Sequence, residues 1–255
     1  MTDALGVLDA CAHCDGPEHN VYVRVAGHDG RIYLDLADDA WRAVEISADG
    51  WRVIDRPPVW FRRTAGMLPL PEPVRGGSLD ALRSLINVRG DADYALLASW
   101  PLAALRERGP YPVLNLTGEH GAAKTMCAEF LRGLIDPSIT RHRGPPRDER
   151  DLVIAANNGH VIALDNLSQI PPWLSDALCR LSTGGGFATR QLYTDTDEVL
   201  LASQRPISIT SIEDVVTRGD LADRSLSLTL ASIPDDRRRT DAEMRAAYET
   251  ARPEC

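Results

Sequence analysis

Two kinds of periodicity divide the chain. Between residues 21 and 63, apolar and polar positions alternate in VYVRVAG, an HDG turn leads into RIYLDLA, WRAVEI and WRVI flank SADG, and VWFRR follows a double proline. Alternation with period two, punctuated by Gly- and Asp-containing turns, is the pattern of antiparallel strands. It predicts a meander of about five strands, with Trp41, Trp51 and Trp60 at strand spacing as its core. Residues 65–77, AGMLPLPEPVRGG, have no period and concentrate Pro and Gly, which predicts a linker or an extended arm. The expected organisation is a small β-rich N-terminal domain over 1–64, this linker, and a second domain over 78–255.

Beyond the linker the apolar spacing turns helical. Ser78 can cap a helix through LDALRSLI, and Asp91 or Asp93 can open another through YALLASW that Pro101 should end or kink. PVLNLTG is a buried strand running into a glycine turn, and a helix follows from about Lys124 to Ile135, stopped by Asp136 and Pro137. A charged loop, RHRGPPRDER, precedes a short helix around DLVIAA. HVIALDN is a second apolar strand, PPWLSDALCRL a helix with proline in its first turn, and STGGGFATRQLYTD a glycine turn into a hairpin. RPISITS is a third core strand, LADRSLSLTL returns to the sheet, and DAEMRAAYETA closes as a helix. Strands alternating with helices predict a three-layer α/β domain around a mainly parallel sheet.

Composition narrows the class. The chain has 255 residues, 44% hydrophobic and 25% charged, which excludes disordered and collagen-like architectures. No apolar run reaches the ~18 residues that span a bilayer, and the opening MTDALGVLDA lacks the basic and apolar regions of a signal peptide. A cytoplasmic protein without a membrane partner is expected. Five cysteines, mostly far apart, do not form a disulfide framework. The net charge of −9 means that any nucleic-acid contact must use a local basic surface. Lys124 is the only lysine among 28 basic residues, the other 27 being arginine. A chain so biased would place arginine wherever any positive charge sufficed, so Lys124 points to a task for a compact ammonium.

Its neighbours indicate the task. Gly118–Thr125, GEHGAAKT, lies between the strand VLNL and a helical pattern. A phosphate-binding loop needs small residues where the backbone curls, inward N–H groups, a lysine for the terminal phosphates and a hydroxyl for Mg²⁺. Gly118, Gly121, Lys124 and Thr125 match those roles, with Glu119, His120, Ala122 and Ala123 completing the cradle. Ala123 stands where the GxxxxGK[ST] pattern has its last glycine, which requires an L-allowed backbone with the methyl clear of the phosphates. About forty residues on, VIALDN sets Asp165 at the end of an apolar strand, where a carboxylate can hold the Mg²⁺ shell. Asn166 follows in the place where many ATPases carry a glutamate, and it can orient a water but not act as a base.

From Tyr111 to Leu230 these motifs resemble the ATPase domain of superfamily 3 helicases within the AAA+ class, especially the primase-helicases of phages and integrated mobile elements. The likeness is strongest to bacterial mobile-element ATP-binding proteins whose loop is similar to GEQGSAKS, in which a residue other than glycine before the lysine is usual. The resemblance implies a P-loop NTPase fold, ATP and Mg²⁺ as cofactors, and hydrolysis coupled to DNA replication or unwinding. LCRLSTGGGFATRQLYTD is similar to an element that projects toward single-stranded DNA, so Gly184–Tyr193 would be a DNA-contacting loop with Gly184–Gly186 as its mobile tip, Arg190 on the flank for a phosphate and Tyr193 for stacking on a base. QRPISITS falls where the family has a strand ending in a polar sensor, with Thr210 or Ser211 in that place. RGDLADRSL resembles the arginine-finger region, with Arg224 the better match and Arg218 second. A finger acting on a neighbour's γ-phosphate implies a homo-oligomer.

The remaining features weigh less. Arg141, Arg143, Arg147 and Arg150 are diluted by Asp148, Glu149 and Asp151, the composition of a solvated loop. Cys11 and Cys14, with His13 between them and His19 beyond, lack a second pair of zinc ligands, and Cys127 and Cys179 read as core residues. Two functions follow from the sequence. One is a Mg-ATP-dependent, helicase-like ATPase. The other is a nucleotide-binding accessory or regulatory protein with little hydrolysis, favoured by Asn166, the missing sensor Asn and the negative charge.

Overall fold

The computed structural model describes residues 2–185, 187–190, 198–201 and 204–255. No helix among them is long and apolar enough to cross a membrane. The chain opens with α1 (Thr2–Asp15), on which Cys11 and Cys14 are exposed. The expected strand VYVRVAG is split into β1 (Val21–Tyr22) and β2 (Val25–His28). The break falls at Arg24, whose φ of 67° is left-handed and whose side chain is wholly buried. β2 continues into β3 (Arg31–Asp35), β4 (Ala43–Ser47) and β5 (Gly50–Ile54), an antiparallel meander of four strands in sequence order. β6 (Trp60–Phe61) leaves the meander and pairs in parallel with β1.

The tryptophans correct the expectation. Only Trp51 packs onto the meander's core, which is built from Leu36, Val44 and Leu70. Trp41 is 52% and Trp60 60% exposed. Trp41 sits in a turn at φ 59° with the Arg63 guanidinium 3.9 Å above its ring, and Trp60 lies on the two-stranded ribbon against His19. Strand spacing cannot distinguish a core face from an open ribbon face, because both have period two.

The arm over 65–77 is stitched to both halves of the molecule. Leu68 N donates to Pro137 O, Leu70 N to Leu36 O and Val74 N to Pro253 O. Arg24 fastens the same junction, donating to Asp35 O at 2.8 Å, Leu68 O at 2.6 Å and Asp136 Oδ1 at 3.3 Å. Asp136 in turn accepts from the backbone N–H groups of His160 and Val161 at 2.8 and 3.0 Å. Burial pulls the Arg24 guanidinium below its usual value, and the carboxylates of Asp136 and Asp35 oppose that pull. A buried charge of this kind persists because it is paired with a carboxylate and with backbone carbonyls, and removing one partner of such a pair costs roughly 3–5 kcal/mol.

Ser78 accepts from Asp80 N at 3.1 Å, as a capping serine should, but the turn that it starts over Leu79–Leu85 is a 3-10 helix. The next helix, α2 (Asp91–Ala104), continues past Pro101 for one turn. Proline here removes the N–H that would bond Leu97 O and crowds that carbonyl, yet the helix continues, and Leu105 N bonds back to Pro101 O at 3.0 Å.

The second half follows the expected alternation: β7 (Val113–Thr117), α3 (Lys124–Gly133), α4 (Glu149–Asn158), β8 (Ile162–Leu167), α5 (Pro172–Thr183), a hairpin of β9 (Phe187–Arg190) and β10 (Glu198–Leu201), β11 (Ile207–Ser211), α6 (Gly219–Ala222), β12 (Ser225–Thr229) and α7 (Asp241–Ala251). Four strands form a parallel sheet in the order β12-β7-β11-β8. All five residues of β7 are buried, because both faces of the sheet are covered. Leu114 and Leu116 point into a cluster with Leu97, Trp100, Phe130 and Leu131, while Val113, Ile207 and Ile209 point into another with Leu164, Leu174 and Leu178. The result is a mixed α/β layered domain in which β11 separates the loop strand β7 from the Asp165 strand β8.

Candidate functional site

The segment after β7 curls before it enters α3, and its dihedrals show why glycine is used. Gly118 has φ 145°, and a Cβ there would lie 2.6 Å from Leu230 O. Gly121 has φ 78° and lies under the guanidinium of Arg238. Ala123 is left-handed as well, at φ 60° and ψ 28°, the residue immediately before the first turn of α3. The backbone half of the condition set by the sequence is met, since the alanine sits in the small left-handed region open to L residues. Lys124 bends back over this curl and donates to Gly118 O at 2.6 Å and Glu119 O at 2.8 Å. Burial lowers its ammonium below the usual lysine value, and Asp165 acts in the opposite sense. Glu119 is turned outward and accepts from Ser232 Oγ at 3.0 Å.

Three chain segments converge beside Lys124. Thr125 Oγ1, in the first turn of α3, donates to Asp165 Oδ1 at 2.7 Å. Thr210 Oγ1, on β11, donates to the same oxygen at 2.6 Å and accepts from Asn166 N at 2.9 Å. Of the two sensor candidates it is Thr210 that reaches the site, whereas Ser211 Oγ is buried without a hydrogen-bond partner. Asn166 is exposed at φ 55°, so the strand twists out of register at the residue that follows the carboxylate. His120, Gly121, Ala122, Ala123, Lys124, Thr125, Asp165, Asn166 and Thr210 line one cleft of about 830 Å³.

Arg224 lies elsewhere. Its carbonyl accepts from Val113 N at the start of β7, and its guanidinium donates to Asp220 O in its own turn. The length of β7 separates it from the loop, about 17 Å at the usual rise per residue, beyond what one arginine spans. Arg224 therefore does not reach the cleft of its own chain. Arg218 is engaged with Asp176 at 2.8 Å. The hairpin leaves the sheet at this same end, after the last turn of α5, where Ser182 O bonds to Tyr111 N. Gly186 of the expected tip and Tyr193 of the expected DNA-contacting loop lie outside the described residues. In the loop before α4, Arg141 pairs with Glu129 and Arg147 with Asp151, as a solvated loop would. Cys127 is buried and Cys179 half-buried.

The cleft also contains residues that the motifs did not mark. His142 stands across from the loop with Nε2 3.8 Å from Asp165 Oδ2, held by a bridge in which Arg143 N bonds to Ala163 O and Asp165 N to Arg143 O. Asn87 Nδ2 donates to Ala122 O at 3.4 Å and to Ala231 O, tying the loop to the chain after β12. Arg237, Arg238 and Arg239 form part of the opposite wall. The run DDRRRT was the available signal for these arginines. It was hidden by the general excess of arginine.

Comparison with known proteins gives the class and then the family. The fold is shared with the C-terminal region of NrS-1: an A-form apo structure aligns with a TM-score of 0.54 at 12% identity over 84% of this chain and 62% of that one. An apo structure of residues 305–718 aligns at 0.52 and 13% identity over 90% of this chain and 64% of that one. A structure described as the active helicase Cch of SCCmec type IV aligns over 99% of this chain and 47% of its own length, with a TM-score of 0.49 and 14% identity. The chain thus spans less than two thirds of the length of each. No curated protein matches it. The class is that of a mobile-element replication protein with a layered α/β domain. Residues 79–255 match the family of Actinomycete integrative conjugative element replication proteins, and the chain belongs to that family.

Proposed function

We propose that the protein is a P-loop ATPase of the AAA+ type, related to superfamily 3 helicases, which binds Mg-ATP and couples its hydrolysis to DNA unwinding during replication of the element. The observation that carries this reading is the meeting of Thr125, Asp165 and Thr210 from three separate segments beside the only lysine. A hydroxyl and a carboxylate oxygen sharing one hydrogen bond are the hard oxygen donors that Mg²⁺ prefers, so the residues fit the ion. Bound there, the ion would neutralise charge on the phosphates.

The chain's own residues do the rest. Left-handed backbone at Gly118, Gly121 and Ala123 turns successive groups of the loop toward one centre. The start of α3 adds its orphan N–H groups for anionic oxygens. Lys124 exchanges two backbone carbonyls for phosphate oxygens, which leaves the compact ammonium paired in both states. Thr210 holds the Asp165 carboxylate and the Asn166 backbone together, and Asn166 orients the attacking water. Arg224, supplied by a neighbouring copy, stabilises charge on the transferred phosphoryl group.

A second reading, an accessory protein that binds ATP but hydrolyses little, draws on Asn166, which cannot accept a proton from water. Titration of a fluorescent ATP analogue with Mg²⁺ tests the reading common to both. Lys124→Ala should abolish binding, and Lys124→Arg should also be defective, because a planar fork does not fit a space made for an ammonium. Equal binding by Lys124→Ala and the unmodified protein would overturn it.

A further inference from the structure

We infer that the ribbon of β1 and β6, with the cleft at the base of the β9–β10 hairpin, is a binding platform for single-stranded DNA. The inference rests on the proposed action on DNA and adds where the strand is held. Trp60 is 60% exposed, the opposite of what its place in a strand pairing would suggest. The His19 ring packs against it with centroids 5.1 Å apart and planes inclined by 38°, and both residues remain exposed. Alternate residues of an extended chain share a face, so Arg62, two residues on, stands on the same side as Trp60. Arg62 N continues the ribbon by donating to Tyr22 O at 2.8 Å.

Beside this ribbon is a polar cleft of about 720 Å³, bounded by Arg62, which also donates to Asn157 O, by Arg108 and Gln204, and by the half-buried Arg205, which donates to Ala156 O at 2.8 Å. Glu107, the carboxylate in its wall, is neutralised by Arg108 at 3.3 Å. Gln204 closes the hairpin's base, with Oε1 accepting from Gly109 N and Nε2 donating to Thr183 O, both at 2.7 Å. A strand crossing the mouth of the cleft would meet Arg62 at its edge and then the aromatic pair on the ribbon. That combination binds unstacked bases and a phosphate backbone, and duplex DNA offers no free base face to it. In a chain of net charge −9, a local site of this kind is what DNA binding requires.

Fluorescence anisotropy of a labelled 20-nucleotide oligo(dT) with the full chain tests this. Trp60→Ala should weaken binding on the order of tenfold, the usual effect of losing one stacked base, and Trp60→Phe should restore most of it. Arg62→Ala should reduce the salt dependence of binding by about one phosphate contact. Trp41→Ala, which removes the other exposed indole, one covered on a face by Arg63, should have no effect. Unchanged binding in both Trp60→Ala and Arg62→Ala would overturn the platform while leaving action on DNA intact. An unmodified protein that binds Mg-ATP but no oligonucleotide would overturn the platform and the DNA reading together.

Discussion

Replacing Ala123 by glycine is expected to stabilise the protein, and the size of the effect follows from one pair of dihedral angles. At φ 60° and ψ 28° the alanine Cβ crowds the following carbonyl, which costs roughly 1–2 kcal/mol relative to a right-handed residue. Glycine avoids that cost, but its freer unfolded chain offsets about 0.5–1 kcal/mol of the gain. The net expectation is a stabilisation of about 0.5–1 kcal/mol, a rise in Tm of roughly 1–4 °C for a chain of this size. Ala123→Val should move the other way, because a β-branched residue is a true outlier at positive φ. Thermal denaturation followed by circular dichroism, with and without Mg-ATP, measures both. Glycine should also leave the ATP-induced rise in Tm intact, since the backbone conformation does not change. A lower Tm for Ala123→Gly with a tolerated valine would refute a left-handed Ala123, and with it the explanation of how this loop dispenses with its last glycine.

Three further outcomes are expected. Asp165→Asn should retain part of the nucleotide binding but lose hydrolysis on the order of a hundredfold, measured by phosphate release, because the backbone cradle survives while metal placement does not. Arg224→Ala should bind ATP nearly normally yet lose turnover on the order of a thousandfold, and mixing it with Lys124→Ala should partly restore activity, since some interfaces then pair an intact lysine with an intact arginine. His160 is buried with Nε2 2.7 Å from Ala104 O, and burial pushes its imidazole down to about 4. Its contribution is present above the unfolded value near 6.5 and is lost as pH falls toward 4, so urea denaturation at pH 7 and pH 5 should show a decline that His160→Gln flattens.

The site was legible where chemistry requires an unusual residue. Lys124 stood out because the chain otherwise uses arginine, and Thr125 and Asp165 followed from spacing to the strands on either side. Thr210 and Ser211 were indistinguishable in sequence, since which hydroxyl reaches Asp165 depends on a register irregularity between β11 and β8. His142 could not be read, because what brings it to the cleft is an isolated parallel bridge between Arg143 and Leu164, outside any regular strand. A single bridge leaves no periodic trace in a sequence. The N-terminal half was harder still. Its strands were visible, but the split at Arg24 comes from a buried guanidinium that must meet Asp136, a contact 112 residues away. The tryptophans were misplaced for a related reason: burial is a property of what packs on a face, and the ribbon carrying Trp60 leaves that face open.

The most direct test of the account is steady-state ATP hydrolysis by the purified chain, with Mg²⁺, in the presence and absence of single-stranded DNA. A DNA-coupled ATPase predicts turnover that rises with the strand, requires Mg²⁺ and disappears in Lys124→Ala. Tight ATP binding with no turnover, whether DNA is present or not, would contradict it and leave the accessory nucleotide-binding protein in its place.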